Sequence, residues 1–378
     1  MKIAIISRSN LKDRVYWSGV IENIYSNLNC NKNLEIIKID KLNDTFRKIF
    51  ALKREYLRYT KKIKFDETYS EFVSKNFAKQ IHQKLRKFKD IDFLLTFDSS
   101  LIAYLKVNIP IILWTDLLYS DYYDHYFRDY NISKETKKSI KKIEKKAVNK
   151  CHRIILSSTW ALNKGKSKYK NFSYKFRLLH FGPSFKTSIK KNKINKFILK
   201  RLKKKISLVT LSVNWSRKGL DKVLSLNKLL NNKGVNSQLT IIGIKNKKVK
   251  DKNVKIVGFI NKNNFLGEKQ ISNNLLKSHF HVLFSKSEAY GVSLVEANSR
   301  ALPNISFKVG GISHIIKKGI NGMLFEQDVD LKIVANYIIK IFLDFQKYQK
   351  LSISSYNEYN NKFSYDKIIP KFIKLLKK

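Results

Sequence analysis

The chain is predicted to fold in the α/β class, as two doubly wound parallel sheets with helices on both faces. Three observations carry that expectation. The length of 378 residues exceeds what one ordinary hydrophobic core serves, so two domains are expected. Short apolar runs alternate with helix-length amphipathic stretches, the rhythm of strand–helix–strand units. That rhythm breaks in the Lys- and Asn-rich stretch 188–205 and then starts again.

In the first half, residues 3–7 read as a strand, 19–28 as a helix and 34–39 as a strand. Helical spacing follows over 72–88, and strand-length apolar runs over 91–96 and 109–114. The charged stretch 134–148 reads as a helix leading into a strand at 153–157. After the break, strands are expected at 208–213, 238–243, 255–259, 281–284 and 304–307. Helices are expected between them at 219–230, near Asn274, at 294–300 and at 312–317. Residues 264–273 fit neither pattern, and helices at 331–345 and 370–376 end the chain. The domains expected from this are 1–185 and 186–363, with ligand at the crevices of the sheets.

Apolar residues make up 43% of the chain, enough for sizeable cores and too many for disorder. The 4 prolines and 13 glycines are too few for turn-rich all-β folds. A formal net charge of +48 predicts attraction to polyanions and to anionic membrane surfaces. A dedicated nucleic-acid protein would gather its cations into one stripe. Here lysines are spread almost evenly along the chain, alongside abundant Asn and Ile, which reads as compositional drift. Cys30 and Cys151 lie far apart and form neither a metal spacing nor a disulfide framework, as for buried thiols in a reducing compartment. Lys2 leads directly into Ile3-Ala4-Ile5-Ile6 without the layout of a secretory signal. No apolar run approaches the ~20 residues of a membrane span. A cytoplasmic protein is expected, with peripheral contact at an anionic inner membrane face compatible with the charge.

The richest chemistry lies in 285–325, SKSEAYGVSLVEANSRALPNISFKVGGISHIIKKGINGMLF. A strand ends near Ser285, Gly291 marks a turn, and a helix begins close to Ser293. The backbone N–H groups of Gly291, Val292 and Ser293 would then point from a helix start, a ready site for a diphosphate. Glu288 and Glu296 flank that start, separated by at most ~12 Å at helical rise. Paired carboxylate oxygens suit vicinal sugar and ribose hydroxyls. A plainer reading stands beside this one: Ser293-x-x-Glu296 matches a capping box, and Glu288 is then only an exposed loop residue. Upstream, Arg217-Lys218-Gly219 opens a helix after a strand, and such a cation pair would neutralise a diphosphate. The plain alternative is a surface Lys-Gly in a lysine-rich chain. In the first half, Gly19 follows the first strand and permits close approach of a phosphate, or simply makes a turn. Asp116 ends the strand of IILWTDLLY, where polar groups face a ligand crevice; it orients an acceptor or caps a turn.

Taken together, Ser285, Glu288, Tyr290, Gly291, Glu296, Ala297, Pro303, Gly310, Gly311, Gly319 and Gly322 resemble the pattern of family 4 glycosyltransferases of the GT-B fold. Trp215-Ser216-Arg217-Lys218-Gly219 resembles that family's W-x-x-K-G segment. The stretches 17–20, 157–160 and 180–183 resemble it less closely. The resemblance covers the chain by order of elements and is strongest over 208–325. It implies two Rossmann-like domains facing a central cleft, with a last helix, 364–378, crossing back to the first domain. It also implies a retaining, nucleotide-sugar-dependent hexosyltransferase-type enzyme, of the kind used in cell-envelope polysaccharide biosynthesis. Glu288 inherits contact with the transferred sugar, Glu296 with the ribose, and Lys218 with the donor phosphates. Two departures stand out. Val213 occupies a place where the family usually carries a cation, so Arg217 would substitute. Thr115-Asp116 stands where many members have a His, so no His catalyst is carried over and Asp116 is the candidate there. The implied acceptor is a glycan, a lipid or a small molecule. No metal is expected, because no Asp-x-Asp or His cluster lies near the donor residues. The competing readings are a basic polyanion-binding protein without catalysis and a GT-B nucleotide-sugar epimerase.

Overall fold

The structure is a computed structural model describing residues 1–128, 130–186, 188–201, 204–245 and 247–377. The chain divides into two compact units, Met1–Tyr16 with Ile24–His180, and Trp17–Asn23 with Phe181–Lys378.

The first unit is built on β1 (Lys2–Ile6), β2 (Glu35–Ile39), β3 (Phe93–Thr96), β4 (Ile111–Thr115), β5 (Cys151–Leu156) and β6 (Phe176–Leu178). These form one parallel sheet in the order β2-β1-β3-β4-β5-β6. Every residue of β4 is buried, as expected of a strand covered by helices on both faces. The helices are α1 (Val20–Asn29), of which Ile24–Asn29 belong to this unit, α2 (Ala51–Lys61), α3 (Glu71–Leu85), α4 (Tyr119–Tyr126), α5 (Lys134–Lys150) and α6 (Thr159–Lys168). Ser70 caps α3 by accepting from Val73 N at 3.2 Å, and Ser133 caps α5 by accepting from Thr136 N at 3.0 Å. Val73, Phe77, Ile81 and Leu85 then fall on one buried face of α3.

The second unit carries β7 (Ile206–Leu211), β8 (Ser237–Ile242), β9 (Val254–Gly258), β10 (Phe280–Leu283), β11 (Asn304–Phe307) and β12 (Gly322–Phe325). Their order is β12-β11-β10-β7-β8-β9, again all parallel. Counted from β7, this is the 3-2-1-4-5-6 order of a Rossmann sheet, whose topological switch point lies between β7 and β10. The helices are α7 (Lys191–Leu199), α8 (Leu220–Asn232), α9 (Phe265–Lys277), α10 (Val292–Asn298), α11 (Ile312–Ile315), α12 (Leu331–Leu343), α13 (Phe345–Glu358) and α14 (Tyr365–Leu376). Val209 and Ile242 from the sheet pack with Ile271 and Leu275 of α9, Ala297 of α10, and Leu302. Among the described residues, no helix is long and apolar enough to cross a membrane.

Several expectations need correction. The stretch 188–205 is not a bare connection, since Ile194 and Ile198 of α7 are buried in it. The units part at His180 and Phe181, ahead of the expected boundary at 185. The last helix groups with the second unit and not with the first. Its reason is local: Tyr365 is buried against Gly182, where an added Cβ would lie 2.6 Å from the ring. The ambiguous stretch 264–273 is α9, begun by Asn264 accepting from Leu266 N at 2.9 Å. The expected helix 331–345 is α12, which ends at Leu343, and it is followed by the unforeseen α13, capped by Asp344 accepting from Lys347 N at 3.0 Å.

Candidate functional site

The site grows from the carboxyl ends of β7 and β10, the strands flanking the switch point of the second sheet. After β7 the chain turns through Asn214–Lys218 and enters α8 at Gly219, which adopts φ 63°. A Cβ there would lie 2.1 Å from the carbonyl oxygen of Phe284, so only glycine lets this turn pack on the end of β10. That close approach sets Lys218 beside the loop after β10. Lys218 donates to Glu288 Oε2, and both side chains are buried. Arg217 Nη1 donates to Ser287 O at 3.2 Å and lies 3.5 Å from Glu288 Oε2, where Ser285 Oγ also donates at 3.4 Å. The peptide of Glu288 is held too, its carbonyl accepting from Gly311 N at 3.1 Å.

Glu296 forms a second buried centre. Lys262 Nζ reaches its Oε1 at 2.7 Å, and Ser184 Oγ donates to the same oxygen. Lys262 also donates to Ser184 Oγ at 2.6 Å. The serine in turn belongs to a chain of contacts that includes Gly19. Asn23 Nδ2 donates to Gly19 O at 2.9 Å and to Ser184 O at 3.0 Å. Trp17 and Ser18 sit at φ 50° and 55°, the left-handed region that non-glycine residues occupy at some cost, and Gly19 follows at 84°. Between the two glutamates, Gly291 at φ 98° is the N-cap of α10. Tyr290 points its hydroxyl to Phe181 O at 2.6 Å.

Burial works against every charge in this region, and the pairing decides the outcome. Burial alone would raise Glu288, but Lys218 and then Arg217 hold it below the usual carboxylate range. Burial opposes ionisation of Glu296 in the same way, and Lys262 brings it below that range. Burial draws the Lys218 ammonium below the ordinary lysine range against the pull of Glu288. Nearby His281 is held neutral, lowered to about 4 chiefly by burial. Its Nδ1 meets Asn304 Oδ1 at 2.8 Å.

Residues 190–358 match the family model of glycosyl transferases group 1. The group 1 region thus contains Lys218, Arg217, Lys262, Glu288 and Glu296. No curated protein sequence matches the chain. Solved structures of similar fold include a sucrose-phosphate synthase from Thermosynechococcus elongatus, at TM-score 0.67 and 14% identity over 100% of this chain and 98% of that one. Anabaena Alr3699/HepE in complex with UDP superposes at TM-score 0.65 and 12% identity, over 100% of both chains. TarM superposes at 0.58 and 16% identity over 81% of this chain, which spans only 58% of TarM's length. These likenesses establish the GT-B fold, with its two Rossmann-like domains.

Within the group 1 region, the capping-box reading of Glu296 is overturned. The N-cap of α10 is Gly291, no side chain caps the helix, and the carboxylate of Glu296 turns to Lys262 and Ser184. Glu288 is likewise no exposed loop residue, being 7% accessible. Val292 opens α10, and Ser293 Oγ is buried without a hydrogen-bond partner among the described residues. Val213 is exposed. Asp116 belongs to the first unit, partly buried after β4. It does not cap α4, whose N-cap is Leu118 without a side-chain hydrogen bond. The sequence reading missed Lys262 and Ser184. Lys262 sits in an Asn-Lys-Asn-Asn turn that carries no motif, and Ser184 lies 112 positions from its carboxylate.

Proposed function

We propose that the protein transfers a sugar from a nucleoside-diphosphate sugar to a carbohydrate or lipid acceptor, with retention of anomeric configuration. One observation carries the reading: Lys218, Arg217 and Glu288 converge at the switch point of the second sheet, inside the group 1 region. Such a crevice is where open α/β sheets take ligands. The diphosphate is bound by Lys218 and Arg217 with the start of α10, which stabilise the departing nucleotide electrostatically. Glu288 accepts hydrogen bonds from the transferred sugar and Glu296 from the ribose. The acceptor approaches the face the diphosphate leaves, and the departing phosphate stabilises the oxocarbenium-like charge. The enzyme contributes positioning and a fixed electrostatic field. Asp116 orients the acceptor. No metal takes part, the phosphate charge being met by the two cations.

The neighbours give this reading a setting. HepE of Anabaena binds UDP and glucose in one crystal structure and UDP-glucose in another. WaaG takes part in lipopolysaccharide biosynthesis. We place this protein in the synthesis of a cell-envelope polysaccharide, on the cytoplasmic side, peripheral to an anionic membrane. A melting-temperature panel of UDP-, GDP- and ADP-sugars, with and without a chelator, tests the donor. One nucleotide class should raise the melting temperature, equally with chelator present. A panel without any shift would remove the assignment.

A further inference from the structure

We propose that α2 is a docking element that lies on an anionic lipid surface. Helix α2 differs from the other helices in what it leaves uncovered. None of its residues is buried. Leu52, Tyr56 and Tyr59 are 86%, 56% and 72% exposed, and Ile49 in the preceding turn is 63% exposed. Spacings of four and three put Leu52, Tyr56 and Tyr59 on one face. No other helix among the described residues carries three exposed large apolar or aromatic side chains.

The opposite side is anchored. Phe50 packs 6.1 Å from Phe65 and 5.9 Å from Phe72, ring centre to ring centre. Arg54 Nη1 and Arg47 Nη2 reach the buried carboxylate of Glu67 at 2.6 and 3.1 Å. The outward face is therefore presented by a fixed helix and not by a loose segment.

Charge selects the occupant. Residues 45–62 hold seven basic side chains and one acidic, Glu55. Arg47 and Arg54 turn inward and Lys53 pairs with Glu135 at 2.5 Å above the Phe65 ring, while Lys48, Arg58, Lys61 and Lys62 are exposed, Arg58 also meeting Glu55 at 2.6 Å. Arg58 lies 4.3 Å from the ring centre of Tyr59, and Lys61 Nζ 5.7 Å from that of Tyr56. An apolar and tyrosine-bearing stripe bordered by cations is the pattern of helices lying in a bilayer interface, where rings enter the headgroup boundary and cations meet anionic lipid. At ~16 Å the helix is far too short to span. The proposal rests on the reading of a membrane-peripheral enzyme and gives that attachment an address.

Co-sedimentation of the full chain with phosphatidylglycerol-containing vesicles tests it, with pure phosphatidylcholine vesicles alongside. The Leu52→Ser/Tyr56→Ser variant keeps every charge and changes only exposed positions. It should bind the anionic vesicles about tenfold or more weakly than the wild type, and Leu343→Ser, another exposed apolar position, should bind as the wild type does. Equal binding by the double variant would overturn the proposal, because the dispersed charge alone would then hold the protein to the lipid. A wild type that ignores anionic vesicles would overturn it as well. So would a wild-type dimer in sedimentation velocity that the double variant abolishes, since the face would then belong to a second copy. Nucleotide-sugar melting shifts of the same variant separate this outcome from failure of the donor site, which lies in the other unit.

Discussion

Lys218 and Glu288 are buried together, and each charge is costly without the other. Lys218→Ala leaves the buried carboxylate only the longer contacts of Arg217 and Ser285 and should lower stability by at most about 3–5 kcal/mol. Adding Glu288→Gln removes that charge and should recover much of that loss in denaturant unfolding. Turnover should be suppressed in both variants, which separates the role in folding from the role toward the donor. Glu296→Ala should shrink the melting shift given by a nucleoside diphosphate, and an undiminished shift would remove the ribose assignment. Tyr290→Phe loses only the bond to Phe181 O and should cost about 1 kcal/mol in the same unfolding assay. At this scale residue type and local spacing single out Glu288, Glu296, Arg217 and Lys218, because strand ends and glycines surround them, and the structure brings Arg217 and Lys218 onto Glu288. The partners of Glu296 are not, because Lys262 and Ser184 reach it from loops that only the tertiary fold assembles.

The turn into α8 shows how an element fixes a side chain. Gly219 holds φ 63° with the carbonyl of Phe284 directly against it. Gly219→Ala meets both a strained backbone and a clash, and should cost about 2–4 kcal/mol in chemical denaturation. It should also weaken donor binding, because the turn that carries Lys218 must back away from β10. Ten of the twelve strands were readable as apolar runs, since parallel strands are covered on both faces, while the short, half-buried edge strands β6 and β12 were not. The helices less easily read are those whose packing residues are few. The inward side of α2 is made of Arg54 and Leu57 with Phe50 of the preceding turn, so within the helix a single apolar residue faces inward. In α7 only Ile194 and Ile198 are buried among lysines and asparagines.

Across the whole molecule, pH dependence follows from groups whose protonation differs between folded and unfolded chains. Burial holds His281 and His314 at about 4, below the ~6.5 of an exposed imidazole. Below pH ~6.5 the unfolded chain takes up protons that the folded chain refuses, so stability falls as pH drops from ~6.5 toward ~4. The slope for His281 is at most about 1.4 kcal/mol per pH unit. Glu288 and Glu296, held low, add stability that is complete above ~4.3 and is lost as pH falls through their folded values. Melting temperatures read from pH 7 to 5 should therefore decline, and a flat profile would contradict the buried neutral histidines. The two-sheet architecture was legible at this scale from rhythm and length. The attachment of α14 to the second unit was not, because it depends on the fit of Tyr365 over Gly182, which no periodicity records. One consequence follows from Lys218 and Lys262 already sitting on the two glutamates. An arriving anion does not drop into waiting hands; it must first persuade an ammonium to change allegiance. On the proposed reading, a diphosphate that drew Lys218 to itself would free Glu288 to accept from a hydroxyl. A bare hexose has nothing to offer in that exchange, so the clasp should stay shut to sugars that come without their phosphates.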